Sequence, residues 1–254
     1  MAAPQKLING LTDLGMEKMQ EYLDHYSELV NKGDKSFSEA LEELVEIEKK
    51  NKQVRRDAIN LHIANYPFIK TFDDFDFDFQ PNLNKKEILE LSKLGFVENK
   101  ENVIFVGTSG VGKTHLATAL GICCTKARFQ TYFITFENLI TQLKKAYQEN
   151  RLETRLKFFS KYKVLIIDEI GYMPIDTDTA NIFFQLIAKR YEKNSTIITT
   201  NMPFSKWGEF FGSATLANAV LDRLLHHSEV ISIKGPSYRI MDKRLVLEAQ
   251  AAEE

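Results

Sequence analysis

Cysteine is nearly absent: the 254 residues hold two, Cys123 and Cys124, side by side in one predicted helix. Adjacent helical cysteines cannot build a disulfide framework, so both read as small buried thiols, and a reducing, cytoplasmic setting is expected. Long apolar runs are missing too. No stretch of eighteen apolar residues occurs, so no membrane span is expected. Residues 1–14 lack the apolar core of a signal peptide. A charge of one sign is also lacking. The net charge is −2, so nothing global advertises a polyanionic partner, and any nucleic-acid binding has to come from local basic faces. There is no internal repeat and no low-complexity tract. What remains is a soluble globular composition long enough for one large domain or two small ones.

What the chain does contain is Gly107-Thr108-Ser109-Gly110-Val111-Gly112-Lys113-Thr114. This fits the phosphate-binding loop pattern G-x-x-x-x-G-K-[ST]. Its glycines let the backbone curl until successive N–H groups point at one anion. Lys113 sets a cation against the β/γ-phosphates, and the Thr114 hydroxyl can hold Mg²⁺. The apolar run Asn102-Val103-Ile104-Phe105-Val106 precedes the loop, and a helical pattern from His115 to Gly121 follows it. Strand, loop, helix is the confirming order. Gly107 to Thr114, with the adjoining His115, are therefore the candidate nucleotide contacts, and ATP with Mg²⁺ the expected ligands.

Around this loop the chain divides. Residues 7–31 carry Leu7, Leu11, Leu14, Met19, Tyr22, Leu23 and Leu29 at roughly helical spacing. Ser36 and Glu39 form a capping box that opens a helix running to about Asn65, before Pro67. The alternating Phe72-Asp73-Asp74-Phe75-Asp76-Phe77-Asp78-Phe79 reads as an extended linker with Phe anchors, and Asn84 to Gly95 as a short amphipathic helix. From Asn102 onward strands alternate with helices: strands at 129–134, 164–167, 195–200 and 230–233, helices at 136–149, 176–191, 216–226 and 242–250. That alternation is the mark of a parallel sheet covered on both faces. The expected organisation is a small all-helical domain over 1–68 and an α/β domain over 69–254.

The strand Val164-Leu165-Ile166-Ile167 ends in Asp168-Glu169. A buried strand does not tolerate carboxylates mid-sheet, so the pair belongs at its carboxyl end, where open α/β sheets bind ligands. Asp168 is then placed to hold Mg²⁺ together with Thr114, and Glu169 to take a proton from an attacking water. A kinase must keep water inactive, so this second acid favours a hydrolase. Asn201, at the tip of the next strand, is a candidate to orient water or touch the γ-phosphate. Arg223, the one arginine of a helix otherwise apolar on its inner side, is either salt-bridged structure or a finger that reaches a neighbour's γ-phosphate. Arg239 in Gly235-Pro236-Ser237-Tyr238-Arg239 is a candidate contact to the same nucleotide in cis. His226 and His227 have no cysteine or carboxylate companion at ligand spacing, so no zinc site is expected.

Together the phosphate loop, Ile166-Ile167-Asp168-Glu169, Thr200-Asn201, Asp222-Arg223-Leu224 and Ser237-Tyr238-Arg239 resemble the AAA+ ATPases of the DnaC/IstB group. In that group's vocabulary they match Walker A, Walker B, sensor 1, arginine finger and sensor 2. The N-terminal pattern, Leu11, Met19 and Tyr22 followed by Phe37, Leu41 and Leu44 and then the Phe-Asp alternation, resembles the IstB branch. Those are ATP-binding helpers of bacterial insertion sequences. Thr108-Ser109 stands where Pro-Pro is common in the branch, and the loop chemistry does not depend on it. The resemblance implies a five-stranded parallel sheet sandwiched by helices, and ATP hydrolysis that depends on Mg²⁺. It also implies ATP-dependent head-to-tail self-assembly on duplex DNA and a cognate transposase as partner, in the bacterial cytoplasm with the nucleoid. An arginine supplied to a neighbour's site makes the interface heterologous, which generates rings or helical arrays.

Two basic stretches are candidates to meet DNA. Residues 140–163 hold seven Lys or Arg against two Glu; Lys144, Lys145, Arg151 and Arg155 lead it. The other is the Lys49, Lys50, Lys52, Arg55 and Arg56 face. Competing readings are a DnaC-like replicative helicase loader, a stand-alone small-molecule kinase and a non-hydrolysing scaffold.

Overall fold

The computed structural model describes residues 5–172 and 174–241. The helix expected over 242–250 lies outside the described residues. The chain divides into two compact units that meet between Asn60 and Leu61, earlier than the sequence-based boundary at 68. Residues just after that point belong to the α/β unit: Phe133 N–H donates to Ala64 O at 2.8 Å, and the Tyr66 and Thr125 hydroxyls share a hydrogen bond of 2.8 Å.

The first unit contains α1 (Gln5–Asp13), α2 (Glu17–Lys32) and most of α3 (Phe37–Ile63). The helical spacing over 7–31 resolves into two helices. The reason is Glu48, buried on α3, whose Oε2 accepts the N–H groups of Lys18 and Met19 at 2.8 and 3.0 Å. A carboxylate there satisfies the free donors of a helix start and matches its dipole, so α2 begins afresh. The capping box at α3 forms as expected, Ser36 N–H donating to Glu39 Oε2 at 2.8 Å and Glu39 N–H to Ser36 Oγ at 3.3 Å.

The second unit contains α4 (Lys85–Leu91), α5 (Gly95–Glu98), β1 (Asn102–Gly107), α6 (Lys113–Lys126), β2 (Thr131–Thr135), α7 (Phe136–Gln148), α8 (Leu152–Ser160) and β3 (Val164–Ile170). It continues with α9 (Thr177–Arg190), β4 (Ser195–Thr200), the short α10 (Trp207–Phe210), α11 (Ala214–Leu225) and β5 (Ser228–Ile233). The five strands form one sheet in the order β2-β3-β4-β1-β5, every pairing parallel. Strand side chains alternate between two apolar cores, as the period of two demands. Ile104, Leu165, Ile167 and Ile198 face a core built with α7, α8, α9, α10 and α11. Val103, Phe105, Ile166 and Ile197 face the other, built with α4, α5, α6 and the anchors Phe72 and Phe75. The Phe-Asp segment forms turns rather than a strand, in line with the linker reading.

The amino edge of the sheet is locked by polar groups. Asn102, buried at the start of β1, accepts Thr196 N–H at 2.9 Å and donates to Leu224 O at 3.0 Å. Arg190, the last residue of α9, is fully buried. Its guanidinium donates to the carbonyls of Phe159 and Tyr162 at 2.9 Å each, to Ser195 O, and to Thr196 Oγ1 at 3.1 Å. Burial pulls its pKa down to about 9, still charged at neutral pH, so four oxygens take the place of a counter-ion.

Candidate active site

At the carboxyl edge β1 runs into the phosphate loop and α6. Gly112 stands at the helix start with φ 98°, a conformation that side chains rarely adopt. A Cβ there would lie 2.5 Å from the Phe75 ring, and one on Gly107 would lie 2.3 Å from Ile233 O. The loop is thus clamped between the Phe-Asp segment and β5, and only glycine fits at those two points.

Lys113 Nζ donates to Gly107 O at 2.8 Å and to Thr108 O at 2.7 Å, which holds the ammonium over the loop. Burial lowers its pKa, while the carboxylates of Asp168 and Glu169 push it back up. Thr114 Oγ1 lies 3.0 and 3.1 Å from the two oxygens of Asp168. Asp168 is buried, which raises its pKa; hydrogen bonds from Thr199 and Thr114 oppose that shift.

Thr199 is the residue that sequence reasoning missed. Its buried hydroxyl donates to Asp168 Oδ1 at 2.5 Å and accepts Glu169 N–H at 2.9 Å. Between Ile167 and Ile170 the β3–β4 register shifts, and Glu169 takes φ 64°. A non-glycine residue held there costs about 1–2 kcal/mol, and the bulge turns the second acid out of the sheet. The available signal was a hydroxyl on a fully buried strand, which needs a partner.

Lys113, Thr114, Glu169, Arg239, Tyr238 and His115 all line one cleft of about 490 Å³. Tyr238 N–H donates to Gly110 O at 3.0 Å, which brings the Ser237-Tyr238-Arg239 segment onto the loop. His115 is partly buried beside Phe75, with Nε2 2.8 Å from Thr71 O, and burial lowers its pKa. Asn201 and Arg223 do not line this cleft. Asn201 is exposed beyond β4, its Oδ1 next to Gly171. Arg223 on α11 donates to Ala219 O at 2.9 Å and lies 4.6 Å over the Phe184 ring.

The residues fit a magnesium nucleotide. A hydroxyl and a carboxylate, both oxygen donors, stand side by side as a hard cation requires. A lysine, a second acid and the start of a helix face the same opening, which suits a polyphosphate.

Several candidate DNA contacts have intramolecular partners. Lys144 pairs with Asp176 at 2.7 Å, Arg151 with Glu149, Lys49 with Glu46 at 2.5 Å and Arg55 with Glu17. Arg155 donates to Gln142 and stacks 4.4 Å over Phe158. Lys145, Lys50 and Arg56 are exposed and Lys52 is half-buried. Exposed pairs contribute only about 0–1 kcal/mol, so a phosphate can displace them; the stacked Arg155 is the most committed to the fold.

Comparison with known proteins agrees with this architecture. The family model described as IstB-like ATP binding protein matches residues 9–246. A protein named for ATP binding in insertion sequence IS232 of Bacillus thuringiensis subsp. berliner is 48% identical, over 94% of this chain and 95% of that one. Its counterpart in IS21 of Pseudomonas aeruginosa is 45% identical, over 92% of this chain and 88% of its own. Among solved structures, the DnaC helicase loader is 28% identical with a TM-score of 0.52, covering 59% of this chain and 87% of that one. DnaI, at 20% identity, shares the fold with a TM-score of 0.55, covering 65% of this chain and 90% of its own. With its phosphate loop, paired acids and five-stranded parallel sheet, the chain belongs to the IstB-like ATP binding protein family.

Proposed function

We propose that this protein is an ATPase that assembles on duplex DNA when ATP is bound and prepares that DNA for the transposase of its insertion sequence. The reading rests above all on Glu169, carried out of the sheet by the bulge and facing the cleft beside Lys113 and Thr114. A second acid at that point is what a hydrolase needs to draw a proton from water. Thr114 and Asp168 would hold Mg²⁺, which when bound offsets charge on the phosphates. Lys113 and Arg239 supply further positive charge, and Thr199 fixes both acids through one hydroxyl. The names of the insertion-sequence relatives support ATP as the substrate.

Arg223 lies outside the cleft of its own chain, which favours its acting in trans on a neighbouring copy. Such an arrangement ties nucleotide occupancy to assembly. The exposed lysines and arginines of 140–163 and of the helical unit are the surfaces for DNA. No base-reading motif accompanies them, so binding is expected to tolerate sequence, with a log–log salt slope of roughly −5 if about six phosphates are engaged.

The deciding experiment is particle size with ATP or ADP, each with and without duplex DNA. Large DNA-bound particles with ATP alone support the proposal. A protein that stays monomeric and free of DNA in saturating ATP and Mg²⁺ at low salt refutes it. The helicase-loader reading draws on the likeness to DnaC; selective binding to a hexameric helicase rather than a transposase would decide for it.

A further inference from the structure

Away from the cleft, three metal-ligating side chains meet that the sequence keeps apart. Glu192 follows α9, whereas His226 and His227 follow α11. One ligand atom from each lies within 4.8 Å of the others. His227 Nε2 is 3.8 Å from Glu192 Oε1, and the two imidazole centroids are 4.0 Å apart. We propose that Glu192, His226 and His227 form a site for a divalent transition metal of the zinc class, joining the end of α9 to the end of α11. The two histidines lack a partner only along the sequence; the fold delivers the carboxylate.

The chemistry of the donors selects the ion. Two imidazoles and one carboxylate, without thiolate, suit Zn²⁺ or Co²⁺ and leave a position for water. Ligand atoms around such an ion lie about 2.0–2.2 Å from it, so modest rotation of three exposed side chains closes the gap. A fourth residue prepares the geometry: the Tyr191 hydroxyl is 2.7 Å from His226 Nδ1. A proton on Nδ1, shared with that oxygen, leaves Nε2 free as a ligand, the usual support for a metal-bound imidazole. The surroundings also favour a cation. His226 caps the C-terminus of α11, where the helix dipole is negative. Arg223 lies near the end of α11, four residues before His227, which follows that helix, so a metal here would brace the arginine proposed to act in trans, though the site does not depend on that role.

The test uses the untagged 254-residue chain, stripped with chelator and without nucleotide, titrated with cobalt(II) as a visible probe and then with zinc. One cobalt per chain, with a d–d band that zinc abolishes, is expected. His226→Ala and His227→Ala should each weaken binding by about 100-fold, and Tyr191→Phe by about tenfold. Glu192→Gln should also weaken it, and Asp168→Asn should leave it intact, which separates this site from the phosphate loop. All the altered side chains outside the cleft are at least partly exposed, so melting in EDTA should match the parent. Absence of a band, a band that survives in the His226→Ala/His227→Ala double variant, or an unaltered affinity in Glu192→Gln would each overturn the proposal.

Discussion

The two edges of the sheet both bury charge, and they do so in opposite ways. At the amino edge Arg190 spends its donors on four oxygens of its own chain and is sealed from solvent. At the carboxyl edge Asp168 is held by two hydroxyls yet sits beside an open cleft, next to an acid in a strained backbone position. Full satisfaction makes a lock, since no ligand can improve on it. Partial satisfaction beside an opening leaves free energy for a ligand to release. The contrast separates the buried charge that serves the fold from the buried charge that serves chemistry.

Breaking each edge should therefore give different losses. Glu169→Gln should reduce ATP turnover by about 10²–10⁴-fold while nucleotide affinity and melting temperature hold; phosphate release and a binding titration check it. Rapid turnover in that variant would remove Glu169 from the proton-accepting role. Arg190→Met should do the reverse. It leaves several carbonyls without donors, a loss of about 3 kcal/mol or more, seen as a fall of roughly 6–12 °C in Tm. A melt unchanged within error would show that the carbonyls find other partners.

Subtler changes sharpen the comparison. Thr199→Val removes the bond to Asp168 and the acceptor for Glu169 N–H, so turnover should drop by about tenfold, near 1.4 kcal/mol. Thr199→Ser should restore most of it, which a purely packing role would not explain. The smallest effect is expected at Asp176, the N-cap of α9. Lys144 and the backbone and hydroxyl of Thr179 hold its carboxyl well below the usual range. A lowered folded-state pKa means the contribution is present above the unfolded carboxylate value and is lost as pH falls through the folded one. Asp176 is exposed, so Asp176→Ala should cost about 1 kcal/mol at neutral pH. Melts of the two proteins should converge in acid.

Much of the α/β unit was legible because its signals are local. Val164 to Ile167 and Ser195 to Thr200 read as strands from β-branched runs, and Gly107 to Thr114 reads as a loop from spacing alone. The paired acids followed from the cost of charge inside a sheet. What escaped depends on partners distant in the chain. Glu48 splits the first helix from α3, Thr199 bridges two residues on another strand, and Glu192 reaches histidines on another element. Helix α8 lies within the basic stretch that reads as a solvated face, yet its Leu156 and Phe159 are buried. Asn201, read from its place at a strand tip, stands apart from the cleft, because a position along the chain does not fix where a side chain points; Arg223 also stands outside it, as a residue that serves a neighbour would.

Phe75 from before the first strand and Tyr238 from after the last converge on the same loop, their rings 5.7 Å apart. The consequence is practical: a trimmed fragment begun at Asn102 would strip the covering from Gly112 and leave α6 with a bare apolar flank. Any shortened version intended to keep the loop in shape must begin upstream of Phe72 and retain Tyr238.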